Sequence, residues 1–558
     1  MFRGRTTTRY STSKRYTATL ATRRRGMSCK GTYMHVRDTH VVVEKQSGTS
    51  LSETVCPPTS PALIFFPAAD FFLRPPKICV GIGANDVANA FATSVGARAV
   101  TLKQAIVLAG IFEFLGALLL GTHVTKAVRE NIVNVECFLD NPGILMYGMM
   151  CVVYTTGMWL LLASYLELPV STTHSTIGAI IGMTVAYAGS GCVAWYQESD
   201  VFPYFKGVGA IAVSWVLSPI FSGVASLLVF LTVRAFVLRS PNAFGRSFWV
   251  FPVLVMVTIA VNVFVFVYKG AKSMHLDETS VLISLGWGLG LGGGVALVLA
   301  PTVIPALRRR VLKIYGDGTR KILPAGNIGA CDPEDLEGGR SSSGSRVGTF
   351  INKSLERDIH ACLDTYEEVV AIHSNAEQFD PRAEEVFKYV QVTSAICDAF
   401  AHGANDVANA MGPFEIICTV YIDGEIRRGR DLGAPGYLTL ALGGFGIVAG
   451  LALYGHKIIT AIGVKIAKIT PSRGFSIEIG AALVMITGTR LGVPLSSTHC
   501  QVGATSGVAL LEGLDGLNTR MVLKIIAGWA ATTAICGVSC ALLFAQGAYA
   551  PFAFDTEE

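Results

Sequence analysis

Gly83-Ala84-Asn85-Asp86-Val87-Ala88-Asn89-Ala90-Phe91 returns as Gly403-Ala404-Asn405-Asp406-Val407-Ala408-Asn409-Ala410-Met411, about 320 residues further along, with only the last letter changed. Both copies lie in apolar surroundings. A carboxylate at membrane depth is expensive and usually lines a pathway or a binding site. Two matched copies point to one central site to which two halves of the chain contribute.

The composition supplies the membrane. The 558 residues are 51% hydrophobic and 15% charged, whereas soluble domains carry about one quarter charged residues. Windows long enough to cross a bilayer as helices cover 144–165, 208–233, 248–267, 282–307, 438–454 and 521–544. The expected class is an all-α, polytopic membrane protein whose solvent is the lipid bilayer, with no nucleic-acid partner. The net charge of +5 collects in the tail and loops, where the positive-inside rule uses it. The thirteen cysteines form no CxxC pair or Cys/His cluster. Cys79, Cys151, Cys418, Cys536 and Cys540 read as small buried thiols. No metal site or cofactor is expected.

Residues 1–60 form a basic, low-complexity tail with no Asp or Glu up to Arg37. A disordered tail and an organellar transit peptide both fit that composition. Pro61–Leu73 is apolar, but Arg74-Pro75-Pro76-Lys77 interrupts it before the first motif, so a full span upstream of Gly83 is not evident. Further on, Arg234, Arg239 and Arg246 fall in one loop and Arg308, Arg309, Arg310 and Lys313 in another, two spans later. Both loops are expected on the cytosolic side. The region 308–386 between the repeats is then cytosolic and partly disordered. It holds a flexible stretch at Gly338–Ser345, the sequon Asn352-Lys353-Ser354 and a weak amphipathic helical pattern near Ser354–Ala376.

The duplication runs past the first motif. Leu168-Pro169-Val170-Ser171-Thr172-Thr173-His174-Ser175 matches Val493-Pro494-Leu495-Ser496-Ser497-Thr498-His499-Cys500, and an apolar helix with Trp215 matches one with Trp529. Repeats are therefore expected at 78–233 and 387–546, joined by two connecting helices over 248–307 and by the loop. Repeats with interrupted helices at matching positions point to a secondary transporter.

Each motif has its own chemistry. Asn85 and Asn89 are four apart and Asp86 and Asn89 three apart, so they share a helix face, as do Asn405, Asp406 and Asn409. The small residues beside them permit close approach or local unwinding. A carboxylate with amide oxygens suits a small hard cation, which makes Asp86, Asn89, Asp406 and Asn409 candidate cation ligands. The bland alternative, small residues for helix packing with Asn as glue, leaves a carboxylate in each half unexplained. In the second motif, proline followed by hydroxyl residues favours a helix start. A helix start inside the membrane presents unpaired N–H groups and a positive dipole end, suited to an anion. Ser171, Thr172, Thr173, Ser496, Ser497 and Thr498, with Asn85 and Asn405, are the candidate anion-binding residues. An ordinary capped turn is the alternative. His174 and His499 read as structural support. Glu113 and Glu478 are further carboxylates within apolar stretches, where a lone charge has a partner or a transport role. No Lys or Arg stands beside the hydroxyl motifs. Like charges 4 Å apart cost roughly 4 kcal/mol at an effective dielectric near 20, so an anion beside two aspartates favours cation-coupled uptake over a simple anion channel.

These two doubled motifs resemble those of the inorganic phosphate transporter (PiT) family of sodium–phosphate and proton–phosphate symporters, over about 78–546. The resemblance implies about 10–12 transmembrane helices in two inverted repeats with re-entrant half-helices. It implies phosphate between two half-helix starts, flanked by co-transported sodium ions or protons, often in a homodimer. Asp86 and Asp406 correspond to the family's essential aspartates, and Glu113 and Glu478 to its transport-critical glutamates. The break at Arg74–Lys77 departs from the family pattern. The expected function is cation-coupled phosphate symport, non-enzymatic, with the plasma membrane as the default location and an organellar membrane open. A sulfate permease of the same fold, a phosphate sensor, and a membrane hydrolase using Asp86 and Asp406 are the competing readings.

Overall fold

The computed structural model describes residues 32–37, 40–45, 76–200, 204–268, 279–316, 359–360, 366–426, 434–490 and 495–549. The Gly338–Ser345 stretch and the Asn352 sequon lie outside them. The chain divides into two units, residues 1–73 and 74–558. In the first, antiparallel strands β1 (Thr32–Arg37) and β2 (His40–Lys45) pair. The rest of the basic tail lies outside the described residues.

The second unit is helical. Its first repeat contains α1 (Pro76–Ile82), α2 (Ala88–Gly96), α3 (Leu102–Asn131), α4 (Pro142–Tyr165), α5 (Thr172–Ala188) and α6 (Val208–Val233). Helices α7 (Ala243–Val267) and α8 (Val281–Tyr315) connect it to the short α9 (Glu367–Asn375). The second repeat contains α10 (Pro381–His402), α11 (Ala408–Asp423), α12 (Ala434–Thr460), α13 (Pro471–Arg490), α14 (Ser497–Ala509) and α15 (Thr519–Tyr549). Pro76 and Lys77 lie inside α1, so a helix does lead into Gly83, while Arg74 and Pro75 lie outside the described residues. Seven of the described helices are long and apolar enough to cross a membrane. The helices that carry the motifs are shorter or more polar. The outward faces of the long spans are apolar, as lipid requires: on α8, Leu282 is 80% exposed and Leu297 77%.

Local sequence sets the ends that matter. Thr101 and Gln104 form a capping box at the start of α3. Ser171 caps α5 through the His174 N–H, and Ser496 caps α14 through the His499 N–H. Gly83–Val87 and Gly403–Val407 are π-helical turns inserted between α1 and α2 and between α10 and α11. The expected local unwinding is thus a wide turn within a continuous helix, a device that recurs at functional sites.

The last helix of each repeat packs on the half-helix of the other: α15 lies against α5, and α6 against α14. Glycine makes both crossings. A Cβ at Gly178 would stand 2.4 Å from the Thr533 carbonyl oxygen, and one at Gly182 2.0 Å from that of Gly537. At the equivalent positions, Gly503 would meet the Pro219 oxygen at 2.3 Å and Gly507 the Gly223 oxygen at 2.2 Å.

The repeats are inverted. Helix α6 begins beside the end of α5, where the Val208 N–H donates to the Ala194 carbonyl. Its continuation reaches the end of α14, where Arg234 donates to the Leu511 carbonyl. Its 26 residues span about 39 Å at 1.5 Å each, so α5 and α14 run to opposite ends of the molecule from starts that meet in the middle.

The two ends are tied differently. Beyond α5, the disulfide Cys137–Cys192 joins the turn to the segment after α3, a link that no cysteine spacing foretold. Beyond α14, Arg473 pairs with Glu512 at 2.6 Å and lies over the rings of Phe230 and Phe379. Glu377 accepts from Arg234 and Arg239. Partial burial pushes its carboxyl up, but the two guanidinium groups outweigh this and hold it below the usual glutamate range.

Gly507→Leu drives a side chain into the Gly223 backbone and is expected to destabilise the fold by about 1–3 kcal/mol or more, read as a lower thermal midpoint in detergent. Gly290→Ala, where an added Cβ meets nothing, is expected to leave the midpoint unchanged.

Candidate functional site

The two hydroxyl turns touch. Thr173 Oγ1 donates to the Leu495 carbonyl at 3.2 Å, and its counterpart Thr498 Oγ1 stands 3.2 Å from the Val170 carbonyl. This reciprocal pair sets the N-termini of α5 and α14 together at the pseudo-twofold centre. Ser171, Thr172, Thr173, Ser496, Ser497 and Thr498 are all buried.

Repeat 1's polar motif grips both turns. Asn85 Nδ2 donates to Ser164 Oγ and the Leu168 carbonyl, each at 3.1 Å, and its Oδ1 accepts from the Val170 N–H at 3.0 Å. Asp86 Oδ2 accepts from the Thr172 N–H at 3.1 Å, and its Oδ1 from Thr498 Oγ1 at 2.8 Å. Asn89 Nδ2 donates to Thr498 Oγ1 at 2.8 Å and lies 3.5 Å from Asp86 Oδ1. The carboxylate of one repeat is therefore bonded to the half-helices of both. A buried carboxylate on N–H groups at a helix start is favoured by charge-assisted bonding and the helix dipole.

The second copy is placed alike but bonded differently. Asn405 Nδ2 donates to the Leu495 carbonyl at 3.1 Å and lies 3.2 Å from Asp406 Oδ1. Asp406 Oδ2 stands 2.7 Å from Nε2 of His402, whose Nδ1 stands 2.9 Å from Glu113 Oε2. The Asn409 side chain lies outside the described residues. Oxygens of Asn89, Thr172, Asn405 and Glu113 are buried without a hydrogen-bond partner. They supply hard donors for a cation.

Glu478 is also fully buried. It accepts from Thr93 Oγ1 at 2.7 Å, Ser94 Oγ at 2.6 Å and Gln391 Nε2 at 3.2 Å, and from Ser394 Oγ. It thus joins α2 of repeat 1 to α10 of repeat 2. Neither His402 nor Asp398 was picked out from sequence. The available signal for His402 was its place four residues before Asp406, on the same helix face.

His174 and His499 stack on each other between two tryptophans. Centroid separations are 3.9 Å for Trp215–His174, 4.4 Å for His174–His499 and 3.7 Å for His499–Trp529. His499 Nδ1 also meets the Trp215 carbonyl at 3.0 Å, and Trp529 Nε1 donates to the Pro169 carbonyl at 3.2 Å. The column stitches the two turns together from behind.

Thr498→Val removes the hydroxyl shared by Asp86, Asn89 and the Val170 carbonyl. It is expected to destabilise the protein by about 1–3 kcal/mol, read as a lower thermal midpoint without ligand. An unchanged midpoint would dissociate the turns from this junction.

The profile of the Phosphate transporter family matches residues 82–540. The chain is 34% identical over 463 residues to the "Inorganic phosphate transporter 2-1, chloroplastic" of Arabidopsis thaliana, covering 83% of this chain and 69% of that one. It is 29% identical over 557 residues to the "Phosphate-repressible phosphate permease pho-4" of Neurospora crassa, covering 82% and 93%. Among solved structures it resembles "The sodium-dependent phosphate transporter", with a TM-score of 0.62, 29% identity and coverage of 84% of this chain and 95% of that chain. The apolar helices, the inverted repeats and these matches together make the chain an integral membrane protein that belongs to the phosphate transporter family.

Proposed function

We propose that the protein carries inorganic phosphate across its membrane by symport with sodium ions or protons. The single observation that supports this most is the bond from the Thr172 N–H to Asp86 Oδ2. The donor that a tetrahedral oxyanion would use is held by the carboxylate that a cation would use. A cation bound at Asp86, with the Asn89 and Thr172 oxygens, draws the carboxylate off the helix start and frees the N–H for phosphate. The anion in turn separates the reciprocal threonine–carbonyl contacts between the turns. Each ion favours the other's site, which is the thermodynamic content of coupling.

Charge points the same way. Among the described residues, the side chains that bond the turns include Asn85, Asp86, Asn89, Asn405, Trp529 and the turns' own threonines, and none of these is cationic. At an effective dielectric near 20, a phosphate oxygen 4 Å from an aspartate costs roughly 4 kcal/mol per charge pair, and a bound cation reverses the sign.

We assign the Arg234–Arg246 end to the cytosol and the Cys137–Cys192 end to the opposite face. Basic loops face the cytosol, and disulfides persist in oxidising compartments.

Uptake of labelled phosphate into proteoliposomes, with sodium and pH varied independently and sulfate as competitor, tests the proposal. Asp406→Asn is expected to abolish uptake, and undiminished uptake would overturn the assignment. Inhibition by sulfate as strong as that by unlabelled phosphate would move the substrate to sulfate.

A further inference from the structure

Asp398 belongs to neither duplicated motif. On α10, residues Gln391, Ser394, Asp398 and His402 follow one another at intervals of three, four and four, so they line one face that ends at Asp406. Each is at most 1% exposed. Other elements face this stripe with charged or hydroxyl groups: Glu478 from α13, Thr93 and Ser94 from α2, and Glu113 from α3. The Asp398 carboxylate lies within electrostatic reach of Glu478, His402, Glu113 and Asp406. Its Oδ1 is buried without a hydrogen-bond partner, and so is Oε1 of Gln391. A carboxylate oxygen left unpaired away from water is among the most costly groups a fold can hold, which argues for a function.

The stripe is one-sided. At the register that aligns Gly83 with Gly403, Asp398 and His402 correspond to Ile78 and Ile82 of repeat 1. Glu113 has an apolar counterpart too. A Cβ at Gly403 would press on the Glu113 backbone, and one at Gly83 on that of Ile447. Binding at a two-fold centre needs no such asymmetry, whereas a path out of the centre does. The stripe leads back along α10 toward Pro381, next to Glu377 and the arginines that hold it.

We propose that Asp398 is a relay ligand for the coupling cation, a small hard monovalent ion (sodium or a proton), between the central aspartates and the Pro381 end of α10. This rests on the symport reading above. Reconstituted full-length protein carrying Asp398→Asn is compared with wild type in three assays: binding of labelled phosphate at saturating sodium, phosphate exchange with equal cation on both sides, and net uptake against sodium and against pH separately. Binding and exchange are expected to stay at wild-type levels. Net uptake is expected to fall, with the half-saturating cation concentration raised about ten-fold or more, and Asp398→Glu is expected to restore it. A shift confined to the sodium series identifies sodium, and one confined to the pH series identifies the proton. If Asp398→Asn gives no folded protein, Asp398→Ser is read the same way. Wild-type net uptake and cation dependence in the variant, or exchange lost in step with uptake, would overturn the relay. Absence of phosphate binding by wild type would instead overturn the functional reading.

Discussion

A carboxylate on the first free N–H of a buried half-helix is the contact around which this protein is organised. Asp86 reaches Thr172 in its own repeat and Thr498 in the other. A helix start in a lipid-excluded interior needs an acceptor, and the acceptor present is one that a cation can claim. The π-helical turn at Gly83–Val87 serves this contact, because it sets Asn85 and Asp86 against the turns while the helix continues on both sides. The threonine pair, the ring column and the glycine crossings all hold the two helix starts where that contact forms.

The molecule is symmetric in its two polar motifs and asymmetric in what surrounds them. Asparagine, aspartate and hydroxyl turns occur twice. Glu113, Asp398, His402 and Glu478 occur once, around one face of α10. The inversion carries the asymmetry to the ends as well: the far end of α5 is covalently tied, whereas that of α14 is held by ion pairs. A disulfide rearranges only over minutes to hours, whereas an ion pair opens without breaking a covalent bond, so the two ends are tied by bonds of different kinds.

Much of the site was legible because it is written twice. Asp86 and Asp406 declared themselves as charges in apolar sequence, and the serine–threonine turns as helix starts that no soluble core requires. Spans such as Val208–Val233 could be read to the residue, since lipid demands a long apolar run. The unduplicated residues were harder. Asp398 and His402 sit in a helix whose other residues are mixed, so their burial follows from packing against α2, α3 and α13 rather than from their neighbours in sequence. Trp215 and Trp529 were visible as a matched pair, but their stacking on the histidines depends on the exchange of α6 and α15 between repeats. The Cys137–Cys192 bond joins segments 55 residues apart across an intervening pair of helices, and nothing local signals it.

That exchange of terminal helices bears on biogenesis. Helix α5 carries Gly178 and Gly182 to meet Thr533 and Gly537, residues that leave the ribosome only after almost the whole chain has been made. Until then α5 packs on α4 of its own repeat, but its glycine face lacks the helix that covers it. Any truncation before α15 therefore leaves the Gly178–Gly182 face of an early helix permanently uncovered.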